Sequence, residues 1–390
     1  MIFALEALEA KHGDCLILHF GTRQEPRFIL IDGGPSGVFR STLDRRLQQL
    51  QELRPEEPLR LDLVMVSHID DDHIQGILDL ARELVDQKER RLPLTREIRG
   101  LWHNSFDDIV GGRGEAVTAS LVARLAPLAD SPLGPHGLPL GRPAAMVVAS
   151  VPQGRRLRGQ AEALGWQVNR PFPQVVMLEK AGPRRVLFEG GLTLTVLGPS
   201  AQRLEKLQRE WDEVITDRGL AEGQREGRVA ALVDESVFNL SSIVVMAESE
   251  SKRVLLTGDA RGDDLLEGLR AAGLMDGGAA HFDVLKVPHH GSSRNVDEDF
   301  FRQVTADHYI VSADGKHGNP DVETLRLLTE AHGPDRYTLH FTNRQGEGDL
   351  QRHLGDFFNS DRRNSRQYEV RYRADAALSL AVDLGSQRHV

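Results

Sequence analysis

Four side chains that commonly bind metal ions are crowded into one short segment of the chain. Residues 67–73 read SHIDDDH, so that His68, Asp70, Asp72 and His73 follow one another at the spacing H-x-D-x-D-H. Imidazole nitrogens and carboxylate oxygens at this spacing can divide into two adjacent pairs, each of which binds one divalent ion. A solvated acidic turn is the alternative interpretation, but it does not account for two histidines that bracket the aspartates.

Apolar segments flank this loop on both sides and would hold it in place. Residues 61–66 (LDLVMV) are typical of a buried strand, and residues 74–81 (IQGILDLA) have the apolar spacing of a helix that packs on one face. We therefore predict a tight strand-to-helix loop at residues 67–73 that brings its histidines and aspartates together.

Three further motifs lie in a fixed order around the loop. They are an opening hairpin at 13–18 and 28–34 (GDCLIL and FILIDGG), a strand ending in Gly-Asp at 255–259 (LLTGD) and a strand ending in paired histidines at 283–292 (DVLKVPHHGS). The motifs and their order resemble the metallo-β-lactamase superfamily. The closest resemblance is to its ComEC-like branch, in which an aspartate replaces the second histidine of H-x-H-x-D-H, as Asp70 does here. The resemblance runs, with gaps, from about residue 4 to about residue 330.

The resemblance implies a fold and a domain organisation. The fold would be α/β, an αββα metallo-β-lactamase sandwich with an inserted cap region. A single hydrolase domain would span residues 1–390. Within it, residues from about 105 to 235 would form the insertion or cap over the site, and residues from about 335 to 390 a strand-rich C-terminal extension.

The resemblance also implies two divalent metal ions per chain, zinc or manganese. His68 and Asp70 would bind the first ion, Asp72 and His73 the second, and Asp259 would bridge the two. Two ions about 3.5–4 Å apart lower the pKa of a water that they share, so that hydroxide is available near neutral pH. The resemblance thus predicts hydrolysis by a hydroxide between two metals.

The paired histidines, His289 and His290, leave one choice open. We expect His290 to be the last ligand of the second ion. His289 could replace it, orient a ligand, or donate a proton to the leaving group. The residues predicted to be catalytic are accordingly Asp72, His289 and His317.

The sequence departs from the superfamily at one metal motif. Many relatives have a histidine ahead of the Gly-Asp strand, whereas residues 234–242 (DESVFNLSS) contain none. Asn239 could act there as a weak ligand or as a hydrogen-bond donor to substrate, or it could cap a turn. The missing histidine makes the first metal site richer in oxygen, which favours manganese or a mixed pair over zinc alone.

Residues on two other loops are predicted to face the substrate. The segment SADGKHGNP matches a loop near the end of the ComEC-like fold; in it Lys316 and Asn319 would bind substrate and His317 would protonate a leaving oxygen, although a simple turn is equally consistent with it. His103 follows a predicted strand and could approach the metals or the substrate, or could be a surface or core histidine. Asp32 is expected to support the metal loop from its Asp-Gly-Gly turn.

Composition limits the classes of protein to consider. The net charge of −10 argues against a broad nucleic-acid-binding surface, but not against a local basic channel. A single cysteine, Cys15, cannot form an intramolecular disulfide, which fits a reducing compartment. No apolar run approaches the roughly 20 residues that cross a bilayer, and we expect no secretion signal, because no basic segment followed by an apolar one opens the sequence. We expect a cytoplasmic protein without a membrane partner.

These observations favour a binuclear metal-dependent hydrolase. The substrate class predicted first is a phosphodiester in DNA or RNA, which would make the chain a nuclease. Hydrolysis of a small phosphoester, a carboxylic ester or a lactone is the alternative, because one two-metal site serves all of these reactions. A regulatory module of a multi-protein system, with a protein partner, is the third interpretation.

Overall fold

The computed structural model describes residues 1–105, 108–109, 141–216, 241–332, 336–361 and 367–390. Asn239 and parts of the predicted cap, including its two Pro/Gly-rich loops, lie outside these residues.

Strands and helices alternate along much of the described chain. The strands are β1 (Ile2–Leu8), β2 (Leu16–Gly21), β3 (Pro26–Ile31), β4 (Leu59–Leu61), β5 (Leu63–Val66), β6 (Arg96–Ile98), β7 (Gly100–His103), β8 (Gln167–Val168), β9 (Arg185–Phe188), β10 (Leu192–Gly198), β11 (Val244–Ser249), β12 (Lys252–Leu256), β13 (Ala280–Lys286), β14 (Val304–Val311), β15 (Tyr337–Phe341), β16 (Tyr368–Tyr372) and β17 (Ser379–Asp383). The helices are α1 (Asp44–Gln51), α2 (Asp71–Glu89), α3 (Gly141–Leu164), α4 (Ala201–Thr216), α5 (Gly262–Ala271), α6 (Glu298–Gln303), α7 (Val322–Ala331) and α8 (Leu350–Asp361). Within the described ranges, no helix is long and apolar enough to cross a membrane.

Two mixed sheets carry most of these strands. The first has the order β17-β1-β2-β3-β5-β7-β8 and the second the order β16-β15-β14-β13-β12-β11-β10-β9. In the first sheet β3, β5 and β7 are parallel, and in the second β12 to β16 are parallel. The strand-rich segment predicted after about residue 335 contributes β15 and β16 to the second sheet and β17 to the first.

The two sheets pack face to face with helices outside them. Alternation along β5 shows how the sequence produces this: Leu63 and Met65 join the core between the sheets, while Val64 and Val66 face the helices. A strand covered on both faces is apolar throughout, which is why β5 does not alternate in polarity. The strand predicted at 61–66 is divided in the structure, because Leu61 ends β4 and Asp62, which pairs with Arg27, separates it from β5. Helices α1 and α2 cover the first sheet, and α5 to α8 cover the second. The predicted α/β sandwich is confirmed.

The loops that carry the predicted ligands leave the same edge of the sandwich. Parallel strands end at a common edge, so the loops after β12, β13 and β14 meet there. The loop after β5 joins them from the first sheet, where the Ser67 carbonyl accepts a hydrogen bond from the Ile243 amide at 2.8 Å. Gly258 has φ +51°, and a side chain on it would begin 2.9 Å from the Ser67 Cβ, so this contact between the sheets requires glycine.

Candidate metal centre

The loop after β5 is held rigidly by Asp32. The two carboxylate oxygens of Asp32 accept hydrogen bonds from the Ser67 amide and the Ser67 hydroxyl, both at 2.7 Å, and the His73 Nδ1 atom lies 2.9 Å away. Asp32 itself has φ +57°, a conformation that aspartate tolerates better than most residues. This aspartate therefore fixes the loop and the orientation of the His73 ring.

Asp70 occupies the N-cap position of α2 without capping it. An N-cap aspartate ordinarily accepts a hydrogen bond from the first turn of its helix, but the Asp70 side chain makes no such bond. Its Oδ2 atom instead lies 3.5 Å from the Nε2 atom of His68. The carboxylate is turned towards the histidines, as a ligand would be.

Asp259 lies at the centre of the histidines that the sequence singled out. Its carboxylate oxygens lie within ligand-sharing distance of four imidazole Nε2 atoms: 3.8 Å from His68, 3.4 Å from His73, 3.5 Å from His289 and 3.6 Å from His290. The Asp72 carboxylate lies 3.5 Å from the His290 Nε2 atom. The structure thus brings together the six residues predicted as metal ligands, and adds His289.

The opposite nitrogen of each ring is engaged elsewhere. Nδ1 of His289 lies 2.6 Å from the Asn295 side-chain oxygen, and Nδ1 of His290 donates to the Ser312 carbonyl at 2.9 Å. Nδ1 of His68 lies 3.1 Å from the Ser67 hydroxyl. Since Asp32 occupies Nδ1 of His73 in the same way, all four rings present Nε2 to Asp259. A partner on one ring nitrogen that leaves the other for a metal is the usual arrangement around metal-binding histidines.

The paired histidines adopt an uncommon backbone conformation. His289 and His290 have φ +46° and +55°, in the left-handed region that residues other than glycine rarely enter. Such conformations persist where the surrounding structure enforces them, and they are frequent at functional sites. Here the turn is what directs both side chains to the same carboxylate.

A buried carboxylate and a buried lysine lie behind the histidines. Lys286 is fully buried, and its Nζ atom forms an ion pair with Asp14 and lies 3.3 Å from the Gly258 carbonyl. Asp14 Oδ1 lies 3.5 Å from Nδ1 of His290. Asp14, His73, Asp259 and His290 form a buried group that could hold a metal ion. Because Asp14 faces the Nδ1 side of both rings, we assign it to the support of the histidines rather than to the same metal as their Nε2 atoms.

Several buried ligand atoms have no hydrogen-bond partner among the described residues. They include Nε2 of His68, Oδ1 of Asp70 and Oδ1 of Asp259. Burying such polar atoms without a partner costs free energy, and a cation would compensate each of them. The donor set, imidazole nitrogens and carboxylate oxygens, suits zinc and manganese. The residues therefore fit a bound metal.

Electrostatics in the centre also favour a cation. Burial would raise the pKa of Asp259, but the neighbouring histidines, His290 foremost, hold it well below its usual range. Burial would lower the pKa of His290, but the carboxylates of Asp259 and Asp14 raise it to about 10. The pKa of His73 is likewise raised, against the effect of burial, chiefly by the charges of Asp259 and Asp32. Each shift reports a site in which positive charge between these groups is stabilised.

An open cavity of about 670 Å³ lies in front of the centre. Lys316, His317 and Asn319, predicted to face the substrate, line it together with His12 and Arg294, which sequence reasoning missed. Burial lowers the pKa of the half-buried His12, against the opposing effect of the Asp72 carboxylate. The cavity lining therefore carries the cations Lys316 and Arg294 as well as the aspartates.

His103 lies elsewhere. It is completely buried at the end of β7, with the partly buried Asp108–Arg158 ion pair and Gly154 nearby, and it does not line the cavity. Burial lowers its pKa to about 4. The structure thus places His103 in the core, one of the roles that the sequence left open.

Comparison with known proteins adds no further assignment. No protein-family model matches the chain, and no curated protein matches it. Function must therefore be inferred from the geometry of the centre.

Proposed function

We propose that this chain is a hydrolase that binds two divalent metal ions and cleaves phosphodiester bonds in nucleic acid. The observation that carries the proposal is the position of the Asp259 carboxylate, within 3.4–3.8 Å of four imidazole Nε2 atoms. A single metal does not need four histidines and the further carboxylates of Asp70 and Asp72. Two ions that share Asp259 account for the whole set.

The ligands divide into two groups of equal composition. His68, Asp70 and His289 would hold the first ion and Asp72, His73 and His290 the second, with Asp259 between them. His289 then supplies the nitrogen that the absent family histidine would have given, so that each group has two nitrogen donors. Zinc and manganese both suit such a donor set.

Charge balance supports two ions. Among the described residues, the centre and the side chains that hold it in place include one buried lysine, Lys286, and five aspartates. The aspartates are Asp14, Asp32, Asp70, Asp72 and Asp259. With neutral histidines, five carboxylates and one ammonium leave four negative charges. Two divalent cations carry the opposite charge, which would remove the cost of burying the carboxylates.

Bound ions would supply Lewis acidity and lower the pKa of water at the centre. The chain's own residues would do the rest. Asp32, Asn295 and the Ser312 carbonyl hold the histidine rings in the ligand orientation. On the cavity wall, Lys316 would attract a phosphate, and His317, which is exposed there, would donate a proton to the leaving oxygen.

Two cationic side chains at the cavity favour an anionic substrate. Lys316 and Arg294 border the cavity, although the chain as a whole carries a net charge of −10. An ammonium and a guanidinium suit a phosphodiester better than a lactone or a neutral ester. Together with two metal ions at the aspartates of the centre, they support the nuclease assignment over the alternatives.

The proposal is tested by cleavage assays on full-length protein loaded with manganese or zinc. End-labelled linear and closed circular single-stranded DNA, and RNA, are the substrates. Asp259→Asn should abolish metal-dependent cleavage, whereas Asp263→Asn, an exposed change on α5, should not. Protein that holds two metals but cleaves only carboxylic esters or lactones would overturn the phosphodiesterase assignment.

A further inference from the structure

A lysine and a histidine meet on the cavity wall beside the metal centre. Nζ of Lys316 lies 3.2 Å from Nε2 of His12, so that the ammonium donates a hydrogen bond to the imidazole. The two residues are 304 positions apart in the sequence. The His317 ring stands edge-on to the His12 ring, with centroids 5.9 Å apart.

The surrounding backbone fixes this pair next to the metal loop. A side chain on Gly13 would begin 2.0 Å from the Asp72 carbonyl, so the chain beside His12 passes directly against the loop. The Gly13 carbonyl accepts a hydrogen bond from the Ser312 hydroxyl at 2.7 Å. Asp314 accepts a bond from the Lys316 amide at 3.0 Å. The pair is therefore built into the fold at a set position beside Asp72.

The partner of Lys316 among the described residues is an imidazole and not a carboxylate. Within the same residues, no acidic side chain lies within ion-pair distance of the Lys316 Nζ atom. Elsewhere in the chain lysines are paired differently: Lys286 with Asp14 and Lys252 with Asp283. A half-buried ammonium beside an imidazole, facing a cavity, offers several N–H donors to an incoming anion.

We propose that His12 and Lys316 form a binding site for a second phosphate of the substrate, next to the phosphodiester that is cleaved. This inference rests on the proposed function and deepens it, because the metal ligands would take the scissile phosphate and leave the pair for its neighbour. A substrate with two or more phosphates, such as a polynucleotide, would use both places. An ester with a single phosphate would use one.

Direct binding tests the second site without requiring hydrolysis. The probe is dithymidine in which a methylene group replaces the leaving oxygen, so that its linkage keeps its charge and cannot be cleaved there. It is prepared with a phosphate at the 5′ end, at the 3′ end, or at neither. Affinities for manganese-loaded full-length protein are measured by calorimetry, with circular dichroism to verify that each variant is folded.

We expect one terminal phosphate to tighten binding by roughly tenfold or more, the scale of a charge-assisted hydrogen bond. Lys316→Met should abolish this gain, His12→Gln should reduce it, and Lys316→Arg should retain part of it. The matched control is Lys11→Met, because Lys11 is exposed nearby and donates to the Ser36 carbonyl instead.

The outcomes separate this inference from the proposed function. A phosphate gain that is lost in Lys316→Met supports the second site even if no nucleic acid is cleaved. Equal affinity for the three probes in the wild-type protein would overturn it, as would an undiminished gain in folded Lys316→Met. Neither negative result would contradict the proposal that the metal centre around Asp259 cleaves nucleic acid.

Discussion

The Nε2 atoms of His73 and His290 face each other at 3.2 Å in the interior of the sandwich. The Nδ1 atom of each ring is already engaged, His73 with Asp32 and His290 with Ser312. If both rings are neutral and carry their proton on Nδ1, the lone pairs of the two Nε2 atoms point at one another. A proton or a metal ion must lie between these groups, and the carboxylates of Asp72 and Asp259 beside them favour the metal.

Asp32 should control metal affinity without binding metal. Asp32→Asn keeps a residue that tolerates the positive φ of this position, but it removes the carboxylate that holds the His73 ring. Loss of such a supporting hydrogen bond typically weakens metal binding by about 10–100-fold. Competition with a chelating dye measures the dissociation constants. Asp86→Asn, an exposed change on α2, is the control and should have no effect; unchanged affinity in Asp32→Asn would refute this role.

Lys286 and Asp14 should stabilise the fold as a pair. Lys286→Met leaves the Asp14 carboxylate buried and unpaired, which is expected to lower the free energy of unfolding by about 3–5 kcal/mol. Adding Asp14→Asn to Lys286→Met should restore part of the loss, because the uncompensated charge is removed. Urea unfolding of the single and double variants measures the coupling. Additive losses would show that the two groups do not depend on one another.

His289 should be a ligand of the first ion. His289→Ala removes a nitrogen that lies 3.5 Å from Asp259 but leaves Asp72, His73 and His290 in place. We expect the variant to retain about one metal of the two that the mechanism requires, as measured by elemental analysis. Two metals at full occupancy would instead assign His289 to proton donation, the role that the sequence also allowed.

Glu6 should make stability depend on pH. Burial would raise its pKa, but the hydrogen bond and charge of His19 and the charge of Arg46 lower it to about 2. A lowered pKa means that Glu6 contributes stability above the ordinary carboxyl pKa, and that this is lost as pH falls from about 4.5 towards 2.

Thermal unfolding of Glu6→Gln checks this assignment. The variant should be less stable than wild type at pH 7, and the difference should shrink below about pH 4.5. Glu56→Gln is the matched exposed control and should behave as wild type. A difference that stays constant from pH 7 to pH 3 would mean that the Glu6 carboxylate is not the source of the stability.

The sequence predicted the local parts of this structure well. The order of β5, ligand loop and α2 depends on apolar runs and on spacing within about 20 residues, where periodicity is informative. The predicted bounds were wrong at the helix start, because α2 begins at Asp71, so that Asp72 and His73 lie in its first turn and not in a loop that extends to residue 73. The strand ends at Asp259 and His290 belong to parallel neighbours, so their ligands could be expected at one edge.

The parts that the sequence did not predict depend on tertiary contacts. Lys286 and Asp14 meet across most of the chain, and so do His12 and Lys316. One signal was present: Lys286 lies between apolar neighbours in the run at 284–287 (VLKV), and a lysine buried there must find a partner. For His103 no such signal existed, because a histidine at a strand end can face either the core or a cavity.

The most direct test of the account is anomalous diffraction from crystals of the protein grown with manganese or zinc. We predict two anomalous peaks, one on each side of the Asp259 carboxylate, the first near His68 and His289 and the second near His73 and His290. Crystals of Asp259→Asn should lose at least one of them. A single peak beside Asp14, or no peak in wild-type crystals soaked at saturating metal, would contradict the two-metal centre.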